Sequence, residues 1–301
     1  MSIDLHDIRA RARAAFVGLA VGDALGATVE FFTASEVRAQ FGVHRNIVGG
    51  GWLRLHPGEV TDDTEMSLCI ARAITDSGAF SRRAIADRFA AWLKGRPTDV
   101  GSTCRKGIRS YILDGIVEVP PGAWDAGNGA AMRMLPIALF TLGDDALLRR
   151  CAVEQARLTH NHPLSDAACI LVGRMVQAAC RGRPLPELRA LADALVAEHP
   201  TFRFDPYHGL ATGYVVDTLQ TVFHHLFGSA TLEETLIGTV NRGGDADTTG
   251  AIAGMIAGAL HGPGAFPRRW TRQMDKRLLA ELGALADRLV DLSPLGRGVV
   301  A

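Results

Sequence analysis

The chain has 301 residues, of which 48% are hydrophobic, and its 32 Lys and Arg balance its 32 Asp and Glu to a formal net charge of zero. This balance lacks the basic excess of a nucleic-acid-binding protein, so we expect no nucleic-acid partner. The hydrophobic content is enough for a sizeable core, in one large domain or two. The five cysteines are odd in number and show no CxxC spacing, which is typical of free thiols in a reducing cytoplasm.

The sequence lacks the apolar stretches that targeting or membrane insertion requires. Asp4 and Asp7 stand where a signal peptide would need an apolar core, and the longest apolar run, near 251–260, is short and rich in glycine. We therefore expect a soluble cytoplasmic protein.

The first predicted element is a helix from Leu5 to about Phe31, with apolar residues at helical spacing and Asp4 at the N-cap position. Glu30 falls at its C-terminal end, where a negative charge opposes the helix dipole. Such a placement is unfavourable unless Glu30 has a specific role.

Three glycines, Gly18, Gly22 and Gly26, recur every four residues in this helix. Because glycine costs about 1 kcal/mol relative to alanine in a helix, the spacing indicates a face that is pressed against a neighbouring element. Asp23 lies among them and is expected to be buried. It is either a structural acid bonded to nearby backbone or part of a functional site.

Residues 41–60 are rich in glycine and predict a long loop, of the kind that is often functional. A shorter loop at 95–101 holds Asp99 and Gly101. Further helices are predicted at 62–77, 82–94, 102–114, 144–159, 164–181, 185–198, 211–227, 232–240, 248–260 and 270–291.

The run Gly127-Asn128-Gly129 is predicted to open another helix, which reaches about Leu142 and kinks at Pro136. Free amides at that helix start could meet a phosphate. His160 and His162, beside Asp166, are expected to cap a helix or line a substrate pocket rather than to bind metal.

No segment shows sustained alternation of apolar and polar residues, so we expect few strands. No repeat, linker or low-complexity tract divides the chain. The sequence therefore predicts one all-α domain that covers residues 1–301.

Two acidic clusters, Thr61-Asp62-Asp63-Thr64-Glu65 and Gly243-Gly244-Asp245-Ala246-Asp247-Thr248-Thr249-Gly250, each precede an apolar stretch at helical spacing. Both are therefore predicted at helix N-termini, where one explanation is capping, since Asp62 with Glu65 is close to a capping box. Together they carry more acids than capping needs, and the additional charges repel one another. If the two helix starts meet, Asp62, Asp63, Asp245 and Asp247 form one carboxylate group that should hold cations.

The clusters offer carboxylate and hydroxyl oxygens, without Cys or His. Such ligands suit Mg²⁺ or Mn²⁺ and not Zn²⁺. Four acids are too many for one hydrated ion but suit two ions that share a carboxylate. We therefore predict a dinuclear site.

Four ordered motifs resemble the ADP-ribosylglycohydrolase family over about residues 10 to 262: Gly22-Asp23-Ala24-Leu25-Gly26, Thr61-Asp62-Asp63-Thr64, Gly127-Asn128-Gly129-Ala130 and the Gly-Gly-Asp-Ala-Asp-Thr run at 243–248. Within the family, the chain is most similar to the hydrolases that remove ADP-ribose from an arginine of dinitrogenase reductase. This closer likeness rests on Gly42-Val43-His44, Gly49-Gly50-Gly51-Trp52-Leu53, Trp92-Leu93-Lys94-Gly95 and Asp99-Val100-Gly101.

The resemblance implies a fold, a reaction and roles for individual residues. The fold would be all-α with a binuclear centre of two divalent cations, Mn²⁺ first and Mg²⁺ as the alternative, and the reaction would cleave the N-glycosidic bond of ADP-ribosyl-arginine. Its implied metal ligands are Thr61, Asp62, Asp63, Asp245, Asp247 and Thr248. Its implied catalytic residues are Asp99, Asp62 and Glu30, with Glu30 at the edge of the metal centre, and its implied substrate contacts are Gly101, Gly127, Asn128, Gly129, His160 and Tyr214.

The implied partner is ADP-ribosylated dinitrogenase reductase, cleaved by a monomer that a PII signalling protein and an ammonium channel sequester reversibly at the membrane. The loop 41–57, with Trp52, would help form the docking rim. Three alternatives stay open: hydrolysis of ADP-ribose from another protein or small molecule, ADP-ribose binding without cleavage, and two-metal cleavage of a phosphoester.

Overall fold

The computed structural model describes residues 4–299, and within them the fold is built from helices, with three isolated β-bridges and no named strand. The predicted all-α class is confirmed. No helix in this range is long and apolar enough to cross a membrane. The helices are α1 (Leu5–Gly26), α2 (Ala34–Phe41), α3 (Asp62–Ser77), α4 (Arg82–Lys94), α5 (Ser102–Asp114), α6 (Leu135–Phe140), α7 (Asp145–Ala156), α8 (Pro163–Cys180), α9 (Leu185–Glu198), α10 (Val215–Gly228), α11 (Leu232–Val240), α12 (Ala246–His261), α13 (Arg268–Thr271) and α14 (Lys276–Leu292).

The first predicted helix is too long at its C-terminal end. Helix α1 stops at Gly26, and the chain turns through Glu30 to Phe31, which has a φ of 64°. Helix α2 was not predicted, although Thr33 and Glu36 begin it with a reciprocal capping box.

Three other helix starts differ from prediction by four residues or more. The helix expected from Gly127 begins only at Leu135, and Pro136 lies in its first turn, where a missing N–H costs nothing, instead of forming a kink. Helix α10 begins at Val215 rather than 211. Helix α14 begins at Lys276 rather than 270, because the Asp275 carboxylate caps it by accepting from two backbone amides.

Helices α1 and α12 pack against each other through small residues. A Cβ added at Gly18 would lie 2.0 Å from the carbonyl oxygen of Gly254, and one at Gly22 would lie 2.0 Å from that of Gly250. As the residue number rises along α1, that of its neighbour falls along α12, so the helices run antiparallel. The close face predicted from the glycine spacing is confirmed, and it brings the end of α1 to the start of α12.

We expect Gly22→Ala to destabilise the fold, because the new methyl group would overlap the α12 backbone and force the helices apart. The expected loss in the free energy of unfolding is about 3 kcal/mol, measured by urea denaturation. Gly283→Ala in α14 is the matched control, since its Cβ meets no atom within 4 Å. This control should gain up to about 1 kcal/mol from helix propensity, and equal behaviour of the two variants would contradict the packing argument.

Candidate metal centre and active site

Helix α3 is capped by Thr61 and not by the acids that follow it. The Thr61 side chain accepts from the Asp63 amide, and the predicted near capping box of Asp62 with Glu65 is wrong. Glu65 instead accepts from the Trp92 indole at 2.7 Å, and Asp62 accepts from the backbone amide of Gly101 at 3.0 Å. Capping therefore does not explain these carboxylates.

Asp23 is fully buried on α1 and holds the start of α3. Its carboxylate accepts from the Thr61 amide at 3.0 Å and from both the amide and the hydroxyl of Thr64. Burial raises the pKa of Asp23 to about 7 even though these hydrogen bonds favour the charged form. The predicted burial of Asp23 and its bonding to backbone are confirmed.

The second cluster begins with a turn that only glycine fits. Gly243 and Gly244 both have positive φ, and a Cβ added at either would lie 1.9 Å from a backbone carbonyl oxygen. Asp245 occupies the N-cap of α12 but its side chain caps no amide; it accepts instead from the Asn128 side chain at 2.7 Å. Asp247, in the first turn of α12, accepts from the Thr248 amide at 2.9 Å through its Oδ1, whereas Asp245 has no capping role.

The two clusters meet, as the sequence predicted. The Thr248 hydroxyl donates to Asp63 Oδ2 at 3.2 Å across 185 residues of sequence. The Thr61 hydroxyl donates to the same oxygen at 3.2 Å. Carboxylate oxygens of Glu30, Asp245 and Asp247 all lie within 4.8 Å of one another.

Glu30 lies closer to the clusters than an edge position suggests. Its side chain is buried in the turn after α1, and its Oε2 accepts from the Trp52 indole at 2.6 Å. Trp52 also packs on the exposed ring of Phe31, with ring centroids 5.4 Å apart. The spacing makes Glu30 a candidate ligand in addition to its predicted role.

A cavity of about 600 Å³ opens above the clusters. Within the described residues its lining includes no Lys or Arg. Five acidic side chains line it: Glu30, Asp62, Asp99, Asp245 and Asp247. Of the predicted substrate contacts, Gly101, Gly127, Asn128, Gly129 and His160 line it as well.

Tyr214 is the one predicted contact outside the lining. Its side chain is exposed, and its backbone contacts two lining residues, Gly127 through a β-bridge and Thr212 through a hydrogen bond of 3.2 Å. His160 is a lining residue, whereas His162 caps α8 by accepting from the Leu164 amide at 3.1 Å. Asp166 pairs with Arg157 at 2.9 Å and stays outside the site. Of the two roles expected for these histidines, His162 therefore has the helix cap and His160 lies in the pocket.

Several lining residues were not predicted from the sequence. Ser102 and Thr103 stand in the first turn of α5, whose N-cap Gly101 has no side chain to offer its amides. Phe31 and the segment 211–213 also line the cavity. Ser102 and Thr103 could have been predicted from the sequence as lining residues. They follow Asp99 at a helix start without a capping side chain, and the free amides of such a start attract anions.

The acids repel one another because they are buried together. Burial first, and then the neighbouring carboxylates, raise the pKa of Asp62 to about 8 and those of Asp63 and Asp247 well above the usual range. Burial also raises the pKa of Glu30 to about 8 and, in the same direction, that of Asp99. Bound cations would offset this repulsion between the carboxylates.

The donor set fits hard divalent cations. All its donors are oxygens, and Asp63 Oδ1 is buried with no hydrogen-bond partner within residues 4–299. A buried carboxylate oxygen without a partner costs stability unless a cation binds it. Mg²⁺ and Mn²⁺ prefer such ligands.

The raised pKa values predict how cation binding depends on pH. With cations removed, Asp23, Glu30 and Asp62 titrate near 7 to 8 rather than near their unfolded values of about 4. Their contribution to stability is therefore complete below about pH 4 and is lost as the pH rises from there to about 8. Cations compete with these protons, so we expect Mn²⁺ to raise the Tm more at about pH 8 than at about pH 6.

Scanning calorimetry with Mn²⁺ and with a chelator, at both pH values, measures this effect. Buried histidines change the stability with pH in the opposite direction, because burial lowers the pKa of His225 to about 4. They do so in both samples, so their contribution cancels in the difference in Tm between the two samples at each pH. A difference in Tm that is the same at both pH values would contradict the prediction.

The chain is similar to known proteins over almost its whole length. The model of the family described as ADP-ribosylglycohydrolase matches residues 4–297. The ADP-ribosyl-[dinitrogen reductase] glycohydrolase of Rhodospirillum rubrum is 52% identical over 97% of this chain and 98% of its own. The ADP-ribosylarginine hydrolase Tri1 of Serratia proteamaculans is 30% identical over 94% of this chain and 80% of its own. A solved structure titled ADP-ribosylglycohydrolase-related protein complex aligns with a TM-score of 0.85 and 33% identity, over 96% of this chain and 99% of the other.

Proposed function

The chain belongs to the ADP-ribosylglycohydrolase family, and from this we propose that it hydrolyses the N-glycosidic bond between ADP-ribose and an arginine of dinitrogenase reductase. The bacterial relative that matches 97% of the chain is named for that substrate, and Tri1 is named for ADP-ribosyl-arginine. The observation that carries the proposal is the meeting of two acidic helix starts at the floor of a cavity that Asp99 also lines.

We propose that Thr61, Asp62, Asp63, Asp245, Asp247 and Thr248 hold two divalent cations, Mn²⁺ or Mg²⁺. The support is the oxygen-only donor set, the unpartnered Asp63 Oδ1 and the hydroxyl contacts that join the clusters. Glu30 belongs to the same group or to its edge. Bound cations of this kind polarise ribose hydroxyls and lower the pKa of a water molecule.

Asp99 is the acid that we assign to the glycosidic bond. It lines the cavity, its Oδ1 accepts from the Val100 amide at 2.8 Å, and burial raises its pKa. A raised pKa suits a group that exchanges a proton during the reaction. Asp99 would take a proton from the attacking water or steer the departing guanidinium, while neighbouring carboxylates favour the cation-like ribose of the transition state.

Other residues of the cavity lining have donors that suit the pyrophosphate and ribose. The first turn of α5 faces the cavity without a side-chain cap, and its amides favour an anion. Gly127, Asn128 and Gly129 border the same space, with His160 behind them. We propose that these groups orient ADP-ribose and that Tyr214 contacts its outer end from the rim.

The first experiment identifies the bond that is broken. The protein is incubated with ADP-ribosyl-arginine and ADP-ribosyl-serine peptides in Mn²⁺ or Mg²⁺, and the products are separated by chromatography. Free ADP-ribose with intact arginine supports the proposal. Release of AMP would indicate phosphoester cleavage, and binding without product would indicate an ADP-ribose-binding protein; either result overturns it.

The second experiment concerns the partner. We propose that the folded reductase docks on a rim that includes Trp52 and Phe31, both of which are exposed beside the cavity. ADP-ribosylated dinitrogenase reductase is mixed with the protein and Mn²⁺, and ADP-ribose release is followed together with recovery of reductase activity. If the peptide is cleaved and the reductase is not, the reaction stands and the partner is wrong.

The cellular setting is part of the same proposal. The enzyme would act as a cytoplasmic monomer, and a PII signalling protein with an ammonium channel would sequester it at the membrane. Co-sedimentation with channel-containing vesicles, with and without the PII protein, tests this step. Sedimentation that does not depend on the PII protein would contradict it.

A further inference from the structure

Arg133 is a buried cation that the proposed reaction does not use. Its side chain is fully buried before α6, and no carboxylate within residues 4–299 forms a salt bridge with it. Its guanidinium lies 4.8 Å from the ring centre of Phe89 and donates to Gln155 Oε1 at 2.8 Å. Burying an arginine without a carboxylate costs free energy, so we expect its remaining hydrogen bonds to contribute to function.

One of those contacts leads to the active-site cavity. Arg133 Nη2 donates to the Thr159 hydroxyl at 2.8 Å, and that hydroxyl lies 2.7 Å from Nδ1 of His160. The His160 ring is wedged beside two cavity-lining glycines: a Cβ added at Gly127 would lie 2.9 Å from Nε2, and one at Gly129 would lie 2.9 Å from Cε1. Arg133 is thus connected through one hydroxyl to a ring that lines the cavity.

The chemistry of these three groups fixes where the protons are. An arginine has donors only, so the Thr159 oxygen must accept from it. Threonine has one hydroxyl hydrogen, and the remaining neighbour able to accept it is Nδ1 of His160. Burial, and then the positive charge of Arg133, lower the pKa of His160 to about 3, so the ring is neutral. A neutral ring that accepts at Nδ1 carries its hydrogen on Nε2.

The Nε2–H group has no hydrogen-bond partner within residues 4–299, and it faces a cavity whose charged side chains are all acceptors. We propose that Arg133 is a positioning residue, which acts through Thr159 to hold His160 as the neutral Nε2–H tautomer, so that this group donates to an acceptor oxygen of bound ADP-ribose. The assignment of the ligand rests on the proposed function, whereas the tautomer does not.

The tautomer is measured by NMR on protein labelled with ¹⁵N-histidine and loaded with Mg²⁺, which does not broaden the signals. Nitrogen shifts and two-bond correlations distinguish Nδ1–H, Nε2–H and imidazolium, and His160→Gln identifies the signal among the ten histidines. We expect Nε2–H in the wild type and a mixture of tautomers in Thr159→Val. Thr159→Ser should restore Nε2–H, because it keeps the hydroxyl.

Binding is measured by calorimetry with ADP-ribose. We expect Thr159→Val to weaken ADP-ribose about tenfold, as for loss of one hydrogen bond to a charged group, and Thr159→Ser to bind like the wild type. Thr239→Val is the matched control, because Thr239 is equally buried, bonds only within α11 and does not line the cavity. These variants leave Arg133 in place, so they avoid the misfolding that its removal could cause.

Each outcome decides a separate point. Nδ1–H or imidazolium in the wild type, or an unchanged tautomer in Thr159→Val, would overturn the positioning role. A lost tautomer with unchanged ADP-ribose affinity would overturn the contact to the ligand. If ADP-ribose failed to bind even the wild type, the proposed function would be wrong, while the NMR result would still decide the role of Arg133.

Discussion

Asp247→Ala is expected to lose bound metal and at least about 10³-fold of turnover, which corresponds to about 4 kcal/mol of transition-state stabilisation. Asp247 is buried within 4.8 Å of Glu30 and Asp245, so its removal takes a ligand from the proposed centre. The helical fold should survive, since the mutation also removes one of several repelling charges. Metal content by mass spectrometry, circular dichroism and peptide hydrolysis measure these three properties together, and Asp62→Ala should behave in the same way.

The matched control for this prediction is Asp144→Ala. Asp144 also stands at a helix start, where its carboxylate accepts from the Leu147 amide at 2.8 Å, but it lies outside the cavity. Its loss should cost about 1 kcal/mol of stability as a missing cap and leave activity unchanged. Full turnover in Asp247→Ala, or in the chelated wild type, would rule out a catalytic role for metal.

Asp99→Asn is expected to keep two metals and ADP-ribose binding but to lose about 10²- to 10⁴-fold of turnover, the usual contribution of a positioned acid or base. The substitution preserves the shape of the side chain, and the asparagine oxygen can still accept from the Val100 amide. The change is thus confined to the charge and to proton exchange. Single-turnover hydrolysis with saturating metal measures it.

The control for Asp99 is Asp87→Asn, an exposed acid that the Tyr111 hydroxyl contacts away from the cavity. It should retain wild-type turnover. Loss of metal in Asp99→Asn would move Asp99 into the coordination shell, and unchanged turnover would leave it with a structural role.

Local patterns predicted the elements that are decided by local forces. The predicted bounds 62–77, 82–94 and 102–114 agree with α3, α4 and α5, because amphipathic spacing and nearby caps or glycines define them. Two of the errors, at 127 and at 211, fall where bonds to distant backbone take over. The Asn128 amide donates to the Gly213 carbonyl at 3.0 Å, and the Asp245 amide donates to Ala211. A helix cannot begin at 211, because the Val215 amide donates to the Ala126 carbonyl at 3.0 Å instead of to Ala211.

The same distinction applies to the site. Acid clusters at two helix starts could be read from the sequence, and the contact between Thr248 and Asp63 confirms that they meet. The ligand and catalytic roles themselves stay predictions. Arg133 could not have been found, since an arginine in a sequence normally indicates surface, and only the fold shows that it is fully buried behind His160.

The pairing of α1 with α12 has a consequence for biosynthesis. Residues of the site that touch in space, such as Phe31 and Gly244, are more than 200 positions apart, so the ribosome completes most of the chain before the site can form. Until α12 emerges, the glycine face of α1 has no partner, and the acids at the start of α3 have nothing to share a cation with. We expect a nascent chain or a fragment that ends before Ala246 to depend on chaperones and to bind no metal. Newly made enzyme would therefore become active in one late step, when α12 packs against α1.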